Sequence, residues 1–238
     1  MKILMTGGSG ILGREMLKLE SHLIAPAHGQ LDITQPASIK EAILFHCPDA
    51  VLHLAADTKT AEHQTHPQNG LQVNIIGTAN IALACLEKKI RLVYTSTDYL
   101  YQGQGPHKEE EPVRAPYHFA WSKLGGEAAV AMCPGSLILR LSFGPAPFPW
   151  ENVYEGQLNS KLYVDEIAPL VLGAVQSTVC GILNIGGPRT TLEAHAKRTR
   201  PDIQTIPCPP WVPKDTSLDI VKMKQALGIL DENKLLKH

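Results

Sequence analysis

The chain has 238 residues, a formal net charge of −1 at pH 7 and a pI near 6.8. This length fits one large α/β domain with or without a small appendage, and the near-neutral charge gives no sign of a nucleic-acid surface. No stretch approaches the roughly 18 apolar residues of a membrane span, so we expect a cytoplasmic protein with neither nucleic-acid nor membrane partners. The five cysteines include no Cys-x-x-Cys pair, which predicts reduced, mostly buried structural thiols.

Glycines dominate the first turn of the chain, where a short apolar strand predicted over residues 2–5 ends. They stand at positions 7, 10 and 13 and lead into a helix, which is typical of the first strand-turn-helix of a dinucleotide-binding unit. Gly7 permits a tight turn, Gly10 leaves room for a pyrophosphate at the helix start, and Gly13 allows close packing of helix on strand. The alternative is an ordinary glycine turn, which the position directly after an N-terminal strand disfavours.

The second strand, predicted over residues 22–26, ends without the acidic residue that commonly binds the adenosine ribose. Ala27 and His28 occupy that corner, and Asp32 follows several residues later. A carboxylate would repel a 2′-phosphate, so its absence, with Arg14 and His28 within reach, favours NADP(H) over NAD(H) as the cofactor. The alternative is that both basic side chains are ordinary exposed surface.

A helix is predicted over residues 36–44, followed by a buried parallel strand over residues 49–56 whose small terminal residues let a cofactor approach. The segment 57–69 is predicted to be a polar loop. Its His63 and His66 have a spacing that suits two metal ligands on one helical face. No third ligand stands at helical spacing, so we interpret them as solvent-exposed loop histidines and predict no metal site.

Polar residues gather after the next predicted strand. A long helix over residues 72–87 leads to a strand over residues 91–95, which delivers Ser-Thr-Asp-Tyr at positions 96–99 to its carboxyl end. The active sites of open α/β sheets lie at that edge. Residues 102–116, rich in Gly, Pro and acidic residues, are predicted to form a surface loop before a helix that carries Lys123 early.

The later part of the chain alternates strands with turn-rich segments. Strands are predicted over residues 135–141, 181–185 and 203–206, and a final helix closes at Gly228. Aromatic residues between the first two of these strands could stack on a base or a sugar, but we favour the core of a small domain for them. These aromatic residues are Phe143, Phe148, Trp150, Tyr154 and Tyr163.

This order of elements predicts an α/β fold, a Rossmann-type doubly wound parallel sheet with a small C-terminal region. We expect a dinucleotide-binding domain over residues 1–141. Residues 142–238 are expected to form a small substrate-binding region interleaved with the late strands and helices of the Rossmann fold.

Taken together, these segments resemble the extended short-chain dehydrogenase/reductases, and within them the dTDP-4-dehydrorhamnose reductase-like group, over nearly the whole chain. The resemblance rests on the segments TGGSGILGRE at 6–15, LDIT at 31–34, PD at 48–49, AADT at 55–58, VN at 73–74 with Gly77, STDY at 96–99 and SKLGGE at 122–127. It implies an NAD(P)H-dependent reductase of a nucleotide-linked 4-keto sugar. The insertion that this family usually has before the segment at 163–168 is reduced here, which leaves the identity of the sugar open.

The resemblance also implies roles for individual residues. Asp32 and Ile33 would lie beside the adenine, Ala55, Ala56 and Thr58 along the cofactor, Thr97 on the substrate carbonyl and Lys123 on the nicotinamide ribose. The expected cofactor-binding set is Gly7, Gly10, Ile11, Leu12, Gly13, Arg14, Asp32, Ile33, Ala55, Ala56, Thr58 and Lys123. The oligomeric state stays open, and a homodimer is one of the states that the sequence permits.

One position departs from the family pattern. Such enzymes use a Tyr-x-x-x-Lys pair, in which the lysine lowers the pKa of the phenol that protonates the product. The residue four positions before Lys123 is Phe119, which has no proton to give. Two hypotheses follow. The first is a reductase that uses Thr97, Lys123 and a substitute donor, namely Tyr117, Tyr99 or water. The second is a non-catalytic NAD(P)-binding regulatory or scaffolding subunit.

Overall fold

The computed structural model describes residues 1–210, 212–231 and 235–237. The strands are β1 (Ile3–Thr6), β2 (Ala50–His53), β3 (Arg91–Thr95), β4 (Leu137–Leu141), β5 (Phe143–Gly144), β6 (Asn152–Tyr154), β7 (Leu158–Asn159), β8 (Leu162–Tyr163), β9 (Gly181–Ile185), β10 (Thr190–Thr191) and β11 (Gln204–Ile206). The α-helices are α1 (Ile11–Leu19), α2 (Pro36–His46), α3 (Thr60–Thr65), α4 (Thr78–Lys88), α5 (His118–Ala131), α6 (Val164–Gln176), α7 (Leu192–Lys197) and α8 (Val221–Leu227). A 3₁₀-helix spans Asp98–Leu100, and a π-helix spans Gly70–Gly77.

Five strands form a central parallel sheet in the order β1-β2-β3-β4-β9. Leu4 pairs with Val51, and Val93 pairs with Leu137, so neighbouring strands are in register through their buried residues. Such nearly continuous apolar strands are stable only where both faces of the sheet are covered. The parallel Rossmann-type sheet predicted from the sequence is confirmed.

The prediction of a strand over residues 22–26 was wrong in the length of the strand. Only Ile24 forms a bridge, with Leu4, through hydrogen bonds of 2.7 Å from Met5 N to Ile24 O and 3.0 Å from Ile24 N to Ile3 O. Pro26 lacks the N–H group that would continue a ladder, and the next residues turn away. The segment therefore flanks β1 as a single-residue edge.

Alternate side chains of the strands enter two separate cores. Met5 of β1 lies in a core covered by α1 and α6, whereas Leu4 lies in a core covered by α2, α4 and α5. This alternation is the two-residue periodicity of an extended strand. Each face of the sheet is therefore sealed by its own helical layer.

Two helix predictions need correction. The helix predicted over residues 72–87 is a π-helix, which begins at Gly70, followed directly by α4. The segment predicted as a polar loop contains α3, and its His63 is buried rather than solvent-exposed. His63 fits there because position 70 is glycine: a Cβ on Gly70 would lie 2.8 Å from His63 Nδ1. His66 is exposed, as expected.

The thiols only partly match the expectation of mostly buried cysteines. All five are free; Cys85 and Cys133 are buried, Cys208 is half-buried, and Cys47 and Cys180 are exposed.

Within the described ranges, none of the helices combines the length and the apolar character required to cross a bilayer.

The C-terminal part of the chain contributes to both the central sheet and a set of short strand pairs. β9 and α6 belong to the central layers, whereas β5-β8, β6-β11 and β7-β10 form separate two-stranded sheets. Phe148 and Tyr163 are buried together in a small core, but Trp150 is exposed and Phe143 and Tyr154 are half-buried. The expected division at residue 142 stays a prediction about how the chain folds.

A buried ion pair joins the sheet to α5. The Arg140 guanidinium on β4 donates to both carboxylate oxygens of Glu127, at 3.0 and 2.8 Å, and to Tyr101 Oη at 3.0 Å. Tyr101 Oη donates in turn to Asn184 Oδ1 on β9 at 2.9 Å, and the Tyr101 ring stacks on His107. The loop predicted to lie on the surface over residues 102–116 is therefore anchored in the interior through His107.

We expect Glu127→Gln to lower the free energy of unfolding by about 3–5 kcal/mol, because the substitution leaves the buried Arg140 charge without its counter-ion. Urea denaturation monitored by circular dichroism measures the change. The matched control is Glu62→Gln, which removes a carboxylate from the exposed pair with Lys59 and should cost less than about 1 kcal/mol. Equal costs for the two variants would contradict a structural role for the buried pair.

A second prediction concerns His195, which is buried against the Tyr163 ring and whose Nε2 has no hydrogen-bond partner within the described residues. Burial first, and then the charges of Lys161 and Arg198, lower the pKa of His195 from 6.5 to about 3. The unfolded chain therefore binds a proton between pH 6.5 and 3 that the folded protein does not bind. The stability contributed by neutral His195 is complete above pH 6.5 and is lost as the pH falls.

The His195→Phe variant keeps the ring packing and cannot titrate. We expect the native protein to lose about 2 kcal/mol more than this variant between pH 7 and pH 5, because of that one proton. Chemical denaturation at the two pH values gives the comparison. Identical losses in both proteins would show that His195 is protonated in the folded state.

Candidate functional site

The glycine turn brings the ends of β1 and β2 into backbone contact. Gly7 has φ +75°, and a Cβ at this position would lie 2.6 Å from Ala55 N. A Cβ on Gly13 would lie 2.4 Å from Gly7 O. The predicted tight turn at Gly7 is therefore present, while Gly13 allows α1 to pack on the turn itself.

The N-terminus of α1 opens beside this turn. In the described part of the chain, no side chain caps the helix, whose N-cap residue is Gly10. The backbone N–H groups of Ile11 and Leu12 in the first turn have no acceptor within the helix, and together with the helix dipole they favour an anion. A Cβ on Gly10 would meet only Gly7 O, at 3.2 Å, so the position otherwise faces open space. These features fit a pyrophosphate group.

The expected adenine end of the site has mixed features. The Asp32 carboxylate accepts hydrogen bonds from Thr34 N and Oγ1 at 2.9 and 2.8 Å, which lower its pKa. The Ile33 side chain is buried and fills the space above Gly77, so only its backbone is free to line a cofactor. Arg14 is exposed, and its guanidinium donates to Ser9 O at 2.6 Å.

His28 completes the region in which a 2′-phosphate was expected. It is exposed, and it lies close enough to Asp32 for its charge to lower the pKa of that carboxyl. The structure therefore places Arg14 and His28 on the surface around the end of β1, where both remain accessible.

The segment after β2 is held to the π-helix. Asp57 N donates to Asn74 Oδ1 at 2.8 Å, and Asn74 Nδ2 donates to Ser122 Oγ on α5 at 2.9 Å. Ala55 and Ala56, which precede this contact, are half-buried, and Thr58, which follows it, is exposed. Backbone and small side chains thus line the space between the glycine turn and α5.

Lys123, on α5, is buried in the protein. Its Nζ sits 4.3 Å from the centre of the Tyr94 ring, an arrangement favourable for a cation. Burial lowers the pKa of Lys123 to about 7, although the charge of the Glu127 carboxylate acts to raise it. Tyr94 reaches this position because residue 126 is glycine, whose Cβ would lie 2.4 Å from Tyr94 Oη.

His53 supports the other side of this arrangement. Its ring stacks on Tyr94 and contacts Thr6 Oγ1 at 2.7 Å and Thr78 Oγ1 at 3.0 Å. Burial and the Lys123 charge lower the pKa of His53 to about 3, so it is neutral at pH 7. Sequence reasoning missed both residues, although a histidine and a tyrosine within otherwise apolar buried strands were a signal.

Phe119 and Tyr117 point to different neighbours. The Phe119 ring is 7% exposed and meets the edge of His63 at 5.7 Å between centroids. Tyr117 is the N-cap of α5 rather than part of it, and its ring lies 5.7 Å from that of Tyr99.

Within the described residues, no group of three or more histidine, cysteine or acidic side chains could hold a metal.

Asp98 connects the end of β3 to the C-terminal region. Thr97 Oγ1 donates to Asp98 Oδ1 at 3.4 Å, and Thr216 Oγ1 donates to Asp98 Oδ2 at 2.7 Å. Burial raises the pKa of Asp98 to about 6, although the hydrogen bond from Thr216 and the charge of Lys161 both act to lower it. Sequence reasoning did not single out Lys161, because it lies in a short segment with no periodic pattern.

The predicted site residues lie at the carboxyl ends of the parallel strands, the edge at which open α/β sheets bind ligands. A separate groove of about 410 Å³, lined by residues such as Leu124, Cys133 and Ile182, lies at the far end of α5 and contains none of the predicted site residues.

The chain is similar in sequence to known proteins of more than one kind. The dTDP-4-dehydrorhamnose reductase of Streptomyces griseus is 35% identical over 133 residues, which are 53% of this chain and 44% of that protein. The methionine adenosyltransferase 2 subunit beta of Bos taurus is 27% identical over 141 residues, 54% of this chain and 42% of that protein. The chain thus spans less than half the length of these two relatives.

A solved dTDP-4-dehydrorhamnose reductase from Bacillus anthracis, in complex with NADP, has a TM-score of 0.84 to this chain at 21% identity. The match covers 98% of this chain and 96% of that one, and at this identity it establishes the fold. The family model described as the RmlD substrate binding domain matches residues 1–144, more than half of the chain. The chain therefore belongs to the RmlD substrate binding domain family, as the resemblance of its motifs predicted.

Proposed function

We propose that the chain binds NADP(H) in the glycine turn, with the pyrophosphate on the N–H groups at the start of α1. The observation that supports this most directly is the uncapped helix start beside Gly10, where a side chain would fill the ligand space. Exposed Arg14 and His28, at a strand end without an acidic residue, favour NADP(H) over NAD(H). The reductase from Bacillus anthracis, whose fold this chain shares, was solved with NADP.

We propose further that the chain reduces the carbonyl group of a nucleotide-linked 4-keto sugar. When bound, the dinucleotide supplies the hydride. Thr97 Oγ1 holds the carbonyl oxygen, and Lys123, fixed above Tyr94, holds the nicotinamide ribose. The observation that carries this proposal is that Thr97, Lys123 and the glycine turn all lie at the carboxyl edge of one parallel sheet.

The proton for this reaction cannot come from position 119. Tyr117 is the candidate phenol, and it lies beside Tyr99 and Asp98. Burial first, and then Tyr99 and Asp98, raise the pKa of Tyr117 above its usual value, which makes this phenol a weaker acid than a free tyrosine. The proposed proton donor is therefore Tyr117, Tyr99 or water.

A second candidate function is a non-catalytic NAD(P)-binding subunit. Phe119 favours it, because an apolar ring packed on His63 occupies the position of the expected acid. The similarity to a methionine adenosyltransferase subunit beta also favours it, since that protein is named as a subunit. Binding of the cofactor does not separate the two functions, whereas turnover does.

The Gly10→Val variant tests the cofactor site. The N-cap has extended backbone (φ −70°, ψ 169°), which valine adopts readily, so we expect the variant to fold. Its melting temperature should fall slightly, because valine is a poorer N-cap residue than glycine and its Cβ would lie 3.2 Å from Gly7 O. We expect the dissociation constant for NADPH, measured by fluorescence titration, to rise at least about tenfold because the side chain fills the pyrophosphate space. Gly173→Ala on α6 is the matched control and should leave binding unchanged. Native affinity in Gly10→Val would place the cofactor elsewhere.

NADPH oxidation with a dTDP-4-keto-6-deoxy sugar tests the reaction. We expect the native protein to turn over, and Lys123→Met to lose about 10²-fold or more in rate because the ribose contact disappears. Lys88→Met, in the last turn of α4, is the matched control. If the Phe119→Tyr variant turned over and the native protein did not, the proposal that the native protein has another proton donor would be contradicted. Binding of NADPH without turnover in any variant would favour the subunit function.

A further inference from the structure

Tyr94, on β3, contacts Lys123 of α5 at two points. Lys123 Nζ lies over the Tyr94 ring, 4.3 Å from its centre, and the Tyr94 hydroxyl donates to Lys123 O at 3.3 Å. Both side chains are buried, Tyr94 completely and Lys123 to 4% exposure. Gly126 makes this contact possible, because a Cβ there would lie 2.4 Å from Tyr94 Oη. One side chain of the sheet therefore fixes both the main chain and the ammonium group of this lysine.

His53 supports the Tyr94 ring from the neighbouring strand. The two residues are register partners of β2 and β3, and their rings stack with centroids 5.6 Å apart. His53 Nδ1 also contacts Thr6 Oγ1 at 2.7 Å, and Thr6 Oγ1 accepts a hydrogen bond from Ala55 N at 3.1 Å. Thr6 directly precedes Gly7. The stacked rings are thus tied to the start of the glycine turn.

The contact between Lys123 and Tyr94 joins a cation to a neutral ring. Burial first, and then the charge of Glu127, raise the pKa of the Tyr94 phenol, so it is not a phenolate at pH 7. His53 on the other side of the ring is neutral as well, since its pKa is about 3. The face of an aromatic ring attracts an ammonium most strongly where water is excluded, as it is around these buried side chains.

We infer that Tyr94 is a positioning residue for the cofactor: the negative face of its ring holds the Lys123 ammonium in the place from which it contacts the nicotinamide ribose. The inference rests on the proposed cofactor binding and on the role proposed there for Lys123. An ammonium has three N–H donors, so those turned away from the ring stay available for ribose hydroxyl groups. Lys123 thus takes its aromatic partner from the sheet and not from position 119.

The first experiment tests the contact in the protein without cofactor. In ¹H–¹³C spectra, the Hε protons of Lys123 are assigned by their disappearance in Lys123→Met. Because the end of the side chain lies over a ring face, we expect the ring current to shift these protons upfield of those of exposed Lys88. The shift should persist in Tyr94→Phe and vanish in Tyr94→Leu. An unshifted signal in the native protein would overturn the inference.

The second experiment measures the dissociation constant for NADPH while the electron density of the ring changes and its shape is kept. Tyr94 is replaced by phenylalanine and by phenylalanines with one, two and three ring fluorines, which weaken the negative face step by step. We expect Tyr94→Phe to bind within about threefold of the native protein and the trifluorinated variant to bind about tenfold more weakly. Thermal melting curves check that the whole series folds alike.

The same series in the Lys123→Met background is the matched control. A ring that acts through the ammonium affects binding only when the ammonium is present, so we expect one common NADPH affinity across the series in that background. A ring with a packing role alone would change the affinity equally in both backgrounds, and this result would overturn the inference.

The outcomes separate the inference from the proposed function. A native protein whose NADPH affinity ignores the fluorines would overturn the inference and leave cofactor binding standing. Native affinity in Lys123→Met would overturn the ribose role of Lys123 and the inference together, while the glycine-turn site keeps its own test in Gly10→Val. A native protein that does not bind NADPH would overturn the proposed function and the inference with it, even with the upfield shift present.

Discussion

The burial of Arg140 is the constraint on which the arrangement of this site depends. A guanidinium in the interior is tolerated only with a carboxylate and further hydrogen-bond acceptors around it, and Glu127 and Tyr101 provide them. Glu127 belongs to α5, one helical turn after Lys123. The ion pair therefore fixes α5 on the sheet at the height at which Lys123 reaches the Tyr94 ring. The same carboxylate also opposes the loss of charge that burial imposes on Lys123.

The parts of the fold that the sequence predicts well are those set by local rules. The glycine turn and the five central strands depend on backbone conformation and on continuous apolar runs, both of which are visible in a short window. The strand over residues 22–26 failed because an edge segment ending in Pro26 gains hydrogen bonds from one neighbour only. Local patterns predict where a strand is favourable, and only the complete sheet determines how far it pairs.

The candidate site was less predictable because its contacts join distant parts of the chain. A polar segment predicts exposed histidines, yet His63 is buried because Gly70 leaves space for it and Phe119 covers its edge. No single-sequence pattern reports that kind of complementarity. The family resemblance implies roles for Thr97 and Lys123, which stay predictions, whereas only the tertiary structure identifies the groups placed around them.

The replacement of a tyrosine by Phe119 is compatible with chemistry at this site because binding and proton transfer have separate physical requirements. Lys123 is held by burial and by the Tyr94 ring, neither of which involves position 119, so its place beside the expected nicotinamide ribose does not depend on a phenol. Proton transfer needs only an acid of suitable pKa within reach of the carbonyl oxygen. The helix that carries Lys123 can therefore lose its phenol while it keeps the lysine in its place.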